Sequence, residues 1–190
     1  MRHNGDVGFL RRNRTRVPSS AAGVHHLVVA AGEATEWDDP EGFSRDWVSR
    51  LEGIARTASA HGVARVTVVP FAGVVPGSSE HRIEFGSTTL VADRSRDGRH
   101  RIVDAARSFA SGTTVTEAML SKALVGDAGE PDLVVVLGDG GSLPSNLVWE
   151  LAYAEIVFVD VPFAELSEVH IATAIEEFGT RHRRFGGVDA

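Results

Sequence analysis

Four short apolar runs constrain the fold more than any other feature of this chain. Each is rich in Val, Leu or Ile and lacks the polar alternation of a half-exposed strand: residues 26–31, 63–71, 133–137 and 156–161. Runs of this kind are typical of parallel strands covered on both faces. A weaker run, 88–93, is a fifth candidate. The sequence therefore predicts a sheet of mostly buried, parallel strands.

Helical patterns separate these runs. Asp39-Pro40-Glu41 is a favourable helix start, and the helix is predicted to end before Gly62. Its buried face would consist of Trp47, Leu51, Ile54 and Ala58. Further helices are predicted over 100–110, from 114 to 124, from Ser145 onwards, and over 167–178 with an end at Gly179. Loops are predicted over 73–81 and 94–99. Strands alternating with helices predict an α/β fold with a parallel sheet flanked by helices.

Length and charge limit the organisation and the class of protein. The 190 residues fit one domain, predicted over 24–187, with a basic flexible arm at 1–23 and a tail at 188–190. The net charge of −7 argues against a nucleic-acid binder. The first sixteen residues carry five Arg and one Asp, which is typical either of a solvated arm or of a contact with an anionic lipid surface or partner.

Targeting and cysteine signals are absent from the sequence. No apolar run approaches the length of a membrane span, and the first run is too short for a signal peptide. There is no Cys, which excludes disulfides and thiolate ligands. We expect a cytoplasmic protein without a transmembrane segment.

Several polar groups are candidate sites when they are considered alone. Residues 134–142 form a strand that enters a Gly-rich turn, which predicts either a phosphate cradle or simply a tight turn. The acids between Glu33 and Glu41 fit helix capping and solvation better than a metal cluster. We interpret His25, His26 and His182 as structural, because none has a partner at ligand spacing.

The carboxyl-terminal quarter carries a longer pattern. It contains Ser145-Asn146, Trp149, Ala152 to Glu155, Asp160-Val161 and Arg181 to Gly187 without a gap. This series resembles the S-N-F-x-x-W-Q-x-A-Y-A-E, T-D-V-x-W-P-D-F and R-x-R-R-F-G-G motifs of the cis-prenyltransferases, the undecaprenyl diphosphate synthase family. The resemblance extends over about 24–187. It implies that family's fold, isoprenoid biosynthesis as the pathway, and transfer of prenyl groups as the reaction.

The resemblance fails where the family binds the allylic diphosphate. The run from His25 is similar to H-V-A-I-I-M-D-G-N-R-R-W, and it places Ala31 on the catalytic Asp. Ala34 and Thr35 fall on phosphate-binding arginines. The match of 61–71 to N-G-I-x-x-L-T-L-Y-A-F supports this alignment. A rival placement puts Asn4 on the Asp, so the Asp is lost in either case.

The site for isopentenyl diphosphate departs in the same way. The family's R-T-S/G-G-E-x-R-x-S-N motif uses two arginines to bind the diphosphate. This chain has Val136 or Leu137 at the first arginine and Ser142 or Leu143 at the second. Ser145 matches the serine and is a candidate for binding phosphate, although we favour a helix-capping role.

The family's tunnel for the growing chain is also reduced. After Phe71 the family has S-T-E-N-W-x-R-P and then long amphipathic helices, whereas only residues 72–85 precede the strand candidate here. The match to the family pattern resumes at residues 98–105, which resemble G-G-R-x-E-I-V-x-A. The resemblance therefore implies shortened tunnel helices and little room for a polyprenyl tail.

The terminal motif remains. Arg184-Phe185-Gly186 corresponds to the Arg-x-Gly segment that crosses to the neighbouring subunit of the family's dimers and binds diphosphate and Mg²⁺ there, and Gly187 and Arg183 flank it. Without the resemblance, this basic run would be a solvated helix end. Glu155 matches a metal-linked glutamate, but alone it would hold Mg²⁺ only weakly, and a second-shell or interface salt bridge fits better.

These features together imply a helper subunit similar to the Nogo-B receptor type. Our leading hypothesis is a non-catalytic subunit that forms a heterodimer or heterotetramer with a catalytic cis-prenyltransferase. Isopentenyl diphosphate and Mg²⁺ would bind at the shared site. One alternative is a divergent homodimeric prenyltransferase making a short or irregular product. Another is a phosphate or nucleotide binder that uses residues 138–142.

Overall fold

A six-stranded sheet flanked by helices forms the centre of the molecule. The computed structural model describes residues 23–32, 37, 45–71, 80–93, 97–138 and 140–185, with the backbone alone for 182–185. The elements in chain order are β1 (His26–Ala30), α1 (Arg45–Ala60), β2 (Arg65–Val69), β3 (His81–Phe85), β4 (Thr88–Ala92), α2 (Gly98–Arg107), α3 (Glu117–Val125), β5 (Leu133–Leu137), β6 (Glu155–Val159) and α4 (Glu168–Phe185). The predicted α/β fold with a mostly parallel sheet is confirmed.

The strands lie in the order β3-β4-β2-β1-β5-β6, and only the β3–β4 pair is antiparallel. The chain therefore builds outwards from β1 on one side and then continues on the other side with β5 and β6. The direction reverses between β1 and β5, where Leu27 pairs with Leu133 and Ala30 with Val136. In sheets of this type the crevice beyond the carboxyl ends of those strands is the usual place for a ligand.

The two faces of the sheet bury different amounts of apolar surface. The larger core packs α1 and α4 against one face, with Leu51, Ile54, Ile171 and Ile175 among its members. The smaller core, on the other face, consists of Val28, Ala30, Val69, Val134, Val136 and Leu147. The first face is thus a continuous apolar layer, and the second leaves room for polar groups.

Helix α1 follows its predicted pattern. Leu51, Ile54 and Ala58 are buried, as the spacing predicts. The helix ends at Ala60, and Gly62 adopts a positive φ of 74° while Val63 N donates to Ala58 O. This glycine turn ends the helix before Gly62, as expected. The predicted start at Asp39-Pro40-Glu41 lies outside the described residues.

Strand β3 was not predicted, and the loop assigned to 73–81 is wrong at His81, where this strand begins. Residues 72–79 of that loop lie outside the described chain. The sequence of β3 is polar because it forms an edge hairpin with β4, where Ile83 pairs with Leu90. Such a strand lacks the continuous apolar run by which the parallel strands were recognised.

The predicted helix from Ser145 is also wrong. The segment forms two 3₁₀ turns, Ser145–Leu147 and Glu150–Ala152. Asn146 Nδ2 donates to Pro70 O at 3.0 Å, Leu147 enters the smaller core, and Glu150 pairs with Arg101. These contacts to three other elements fix the segment and override its local helix preference.

Helix α4 continues through Gly179, which was predicted to end it, and reaches Phe185. Gly179 is buried and has no positive φ, so packing keeps it helical. Within the described residues, no helix is both long and apolar enough to cross a membrane.

Candidate functional site

The crevice beyond β1 and β5 is built from short turns at one edge of the sheet. Ala31 N donates to Val69 O at 2.8 Å, and Gly138 N donates to Val159 O at 2.9 Å. Gly32 and Gly138 have positive φ values of 69° and 109°, which a side chain rarely permits. These hydrogen bonds link the end of β1 to that of β2 and the end of β5 to that of β6, at the edge where the crevice lies.

The end of β1 is closed by aromatic side chains. Ala31 is fully buried, and the buried Trp37 donates its indole N–H to Ala31 O at 2.7 Å. Trp47 lies edge-on to Trp37, with ring centroids 4.8 Å apart, and stacks on Phe163 at 4.0 Å. A buried methyl group beneath this cluster supplies neither a metal ligand nor a positive charge. Ala34 and Thr35 lie outside the described residues.

The turn after β5 lacks cationic side chains at the described positions. Val136 and Leu137 are buried on opposite faces of the sheet, so neither reaches the crevice as a ligand. Ser142 and Leu143 are exposed. Between them and β5, a Cβ at Gly140 would touch the ring of Phe158 at 3.5 Å, so the turn packs against β6.

Ser145 lies on the surface of the next turn. The predicted cap is wrong, because Pro144 takes the cap position and makes no side-chain hydrogen bond. Ser145 O packs against α2, where a Cβ on Gly98 would lie 2.6 Å from it. The role of Ser145 in binding phosphate stays a prediction.

A buried ion pair fixes this segment to α2. Arg101 Nη1 lies 2.8 Å from Glu150 Oε1, and the two side chains are 20% and 6% exposed. Arg101 also donates to Asn146 O at 3.2 Å and to Leu124 O at 2.8 Å. In the sequence, Arg101 serves only as part of the 98–105 match to the family motif. The only sign in the sequence that Arg101 has a structural role is that it lies in the 98–105 segment, which resembles a family motif.

Glu155 lies at the amino ends of the parallel strands, whereas Ala31 lies at their carboxyl ends. It pairs with Leu133, at the start of β5, and its N–H donates to Asp132 O at 3.0 Å. Four residues along the strands separate that level from Ala31, which is about 13 Å. No group of three or more metal-ligating side chains occurs in the described part of the chain. The described residues of this crevice therefore do not form a magnesium site by themselves.

His26 is a structural residue on β1. Its Nδ1 lies 2.9 Å from Gly129 O and therefore carries the proton, so Nε2 accepts from the hydroxyl of Thr67 at 3.0 Å. Burial lowers the pKa of His26 to about 4, a shift that the Gly129 bond opposes and Arg65 reinforces. The ring is thus neutral at pH 7.

The predicted terminal motif begins in the last turn of α4. The backbones of Arg183, Arg184 and Phe185 are helical, whereas Gly186 and Gly187 lie outside the described residues. Just before them, Arg181 donates to Ile156 O at 3.3 Å and forms an ion pair with Glu177. The motif therefore begins close to β6.

Strand β6 forms an edge of the sheet and carries exposed apolar side chains. Phe158 is 46% exposed, and Tyr153, just before the strand, is 68% exposed. Leu143 and Val148 in the preceding turns are also exposed. We call these four side chains the β6 surface. Apolar side chains beside an open sheet edge are typical of protein–protein contacts.

Comparison with known proteins relates the sequence to prenyltransferases. The family model for putative undecaprenyl diphosphate synthase matches residues 82–186. An isoprenyl transferase of Neisseria gonorrhoeae is 32% identical over 182 residues, which cover 86% of this chain and 72% of that protein. An isoprenyl transferase of Caulobacter vibrioides is 28% identical over 213 residues, with coverage of 99% and 80%.

Two solved structures share the fold. A probable undecaprenyl diphosphate synthase from Campylobacter jejuni has a TM-score of 0.60 at 17% identity, covering 86% of this chain and 98% of that one. Lavandulyl diphosphate synthase from Lavandula x intermedia, in complex with dimethylallyl diphosphate, has a TM-score of 0.61 at 15% identity. That match covers 87% of this chain and 99% of that one.

Proposed function

This chain belongs to the undecaprenyl diphosphate synthase family of cis-prenyltransferases, and we propose that it is the non-catalytic subunit of a heteromeric member. Its partner would condense isopentenyl diphosphate with an allylic diphosphate. This chain would supply a contact surface and its terminal Arg-x-Gly segment. The two proteins would form a heterodimer or a heterotetramer.

The observation that carries this proposal is the closed end of β1. The family motif aligns the catalytic Asp with Ala31, which is buried and whose carbonyl accepts the indole N–H of Trp37. Restoring an Asp there would bury a carboxylate among aromatic rings, at a cost of several kcal/mol. This end of the sheet therefore favours a packed core over diphosphate binding.

The β6 surface supports the second half of the proposal. Its exposed apolar side chains lie in the stretch that matches the family motifs, from Leu143 to Phe158. Arg181 holds the end of α4 against Ile156 of the same strand. A partner docked on β6 would therefore receive the segment that begins at Arg184.

The terminal segment has the chemistry for binding diphosphate. Arg184 would donate charge-assisted hydrogen bonds to phosphate oxygens, and Gly186 and Gly187 would allow the backbone to approach them closely. This diphosphate would be that of isopentenyl diphosphate, which stays on the product, so Arg184 would act by holding the nucleophilic substrate in place for attack on the allylic carbon. When bound in the complex, Mg²⁺ supplies further positive charge to the same group, with Glu155 as a weak candidate ligand.

The test is Arg184→Ala in the assembled pair. We expect the rate of prenyl transfer to fall about 100-fold, because a substrate held out of its reactive position loses about that much rate. Arg107→Ala, at an exposed position on α2, is the matched control and leaves the rate unchanged. Co-purification of both variants with the partner confirms intact assembly. Unchanged activity of an assembled Arg184→Ala pair contradicts the proposal.

A divergent homodimeric prenyltransferase is the second candidate. Its support is the fold shared with lavandulyl diphosphate synthase, whose chain is matched over 99% of its length. The shortened region after Phe71 fits a short or irregular product better than a long one. Turnover of dimethylallyl and isopentenyl diphosphates by the purified chain alone would establish this alternative, and no turnover would remove it.

A further inference from the structure

A polar cavity lies on the second face of the sheet, beneath α2 and the end of α3. Its volume is about 100 Å³. Its floor is formed by side chains that share one face of β1, β2 and β4, and Leu124, Val125 and Ala128 cover it. Six ionisable side chains line it: His26, Arg65, Glu80, Asp93, Arg101 and Glu150. An apolar prenyl chain would desolvate these groups, so the cavity does not suit hydrocarbon.

The charges in the cavity are separated along the strands. Arg65 pairs in register with His26 at the amino ends of β2 and β1. Asp93 follows the carboxyl end of β4. Glu80 lies opposite Asp93, because His81 pairs with Ala92 in the antiparallel β3–β4 pair. Burial raises the pKa of Asp93, an effect that Arg101 opposes and that Glu80 and Glu150 reinforce. Arg101 and Glu150 neutralise each other. The end of the cavity at Arg65 is therefore cationic, and the end at Asp93 is acidic.

Each end also has an unmet hydrogen bond. The side chain of Glu150 is only 6% exposed, and its Oε2 accepts no hydrogen bond from any described residue. Arg65 Nε is buried and, among the same residues, finds no acceptor. His26 and Thr67 satisfy each other and do not compete for a ligand. An orphan acceptor and an orphan donor in one cavity call for a ligand that carries both complements.

We propose that this cavity binds a small zwitterion, with an ammonium group at Glu150 and a carboxylate group at Arg65. A lone cation would leave Arg65 unpaired, and a lone anion would meet the acids around Asp93. Arg65 begins β2, whereas Glu150 is linked through Arg101 and Asn146 to Pro70, beyond the other end of that strand. The two groups are therefore separated along the strand, which favours an ω-amino acid over an α-amino acid. The site uses neither the β1 crevice nor the β6 surface, so it does not depend on the proposed function.

Calorimetric titration of the full chain tests the ligand class. The probes are γ-aminobutyrate, glycine, butylamine and butyrate. We expect γ-aminobutyrate to bind at least about tenfold more tightly than butylamine or butyrate, because only it satisfies both ends. Equal binding of butylamine overturns the zwitterion. Absence of binding by all four probes overturns the site and leaves a cavity filled by water.

Two variants test the placement. Glu150→Gln and Arg65→Gln should each weaken γ-aminobutyrate binding about tenfold or more, since each removes one charged partner. Arg82→Gln, in an exposed ion pair on β3, is the control and keeps full affinity. If Glu150→Gln fails to fold because Arg101 loses its partner, Arg65→Gln decides alone. Unchanged affinity in Arg65→Gln overturns the proposal.

Discussion

Strands β1 and β6 have similar apolar content but opposite surroundings. All five residues of β1 (HLVVA) are buried, whereas only one residue of β6 (EIVFV) is. The difference follows from their places in the sheet, because β1 lies between β2 and β5 and β6 lies at the edge. Apolar sequence alone therefore does not distinguish a strand that packs the core from one that offers a contact surface.

The same contrast separates what this chain keeps of its family pattern from what it loses. The position that the family motif predicts for the catalytic Asp follows β1, where Ala31 is covered by Trp37. The matched motifs surround β6, where Tyr153 and Phe158 remain exposed. Substitutions at β1 should therefore change folding, and substitutions at β6 should change association.

The largest expected effect is on folding at the central strand. Leu27→Ala leaves a cavity at a fully buried position, and we expect the free energy of unfolding to fall by about 2–5 kcal/mol. Phe158→Ala on β6 should cost less than about 1 kcal/mol in the isolated chain, because half of its side chain already contacts solvent. Urea denaturation measures both variants. Equal losses would remove the distinction between the two strands.

The buried ring of His26 should make β1 sensitive to acid. In the unfolded chain it gains a proton near pH 6.5, but in the fold burial lowers its pKa to about 4. Its contribution is therefore complete above pH 6.5 and is lost as the pH falls towards 4, by roughly 3 kcal/mol.

Urea denaturation from about pH 7.5 down to about pH 4, in steps of about half a pH unit, checks this. His26→Gln should show a shallower loss of stability than the unaltered chain. His100→Gln, at an exposed ring on α2, is the control and should follow the unaltered chain. Parallel curves for all three proteins would show that His26 titrates normally.

Association at the edge strand is the next effect in size. Phe158→Asp places a charge on the β6 surface and should weaken binding to the proposed catalytic partner by at least about 2 kcal/mol, or about 30-fold in Kd. Val103→Asp, on an equally exposed apolar residue of α2, is the control. Binding is measured by surface plasmon resonance. Identical losses in the two variants would mean that β6 is not the contact surface.

The smallest effect concerns the contact between α2 and the turn at Ser145. Gly98→Ala would bring a Cβ within 2.6 Å of Ser145 O, a backbone atom, and should cost on the order of 1 kcal/mol. Gly53→Ala in α1 meets the side chain of Glu168 at 3.2 Å, which can yield more easily than a backbone atom, and should cost less than Gly98→Ala. Thermal unfolding compares the two variants. A neutral Gly98→Ala would show that the turn shifts easily.

The fold could be predicted to the extent that local sequence determines it. The run at 133–137 is β5 without change, three other runs contain a strand whose ends lie within two residues of the predicted ends, and β6 begins one residue before its run. Strand β3 was missed because a polar edge strand has no continuous apolar run. The 3₁₀ turns and the buried Gly179 were missed because contacts between distant elements determine them.

The candidate site could be predicted only where a motif marked it. The motifs directed attention to Ala31, the turn after β5 and the region of β6, and the roles of these residues stay predictions. It gave no signal for Trp37 as the residue that covers Ala31, nor for the polar cavity around Glu150. Both depend on side chains brought together from separate elements, which spacing along the chain does not encode.

The most direct test of the account is the incorporation of radiolabelled isopentenyl diphosphate by this chain, by its candidate catalytic partner, and by the co-expressed pair. The account predicts that the pair incorporates label efficiently and that this chain alone incorporates none. Turnover by this chain alone would contradict the central claim, because it would require an active site at an end of the sheet that Trp37 closes.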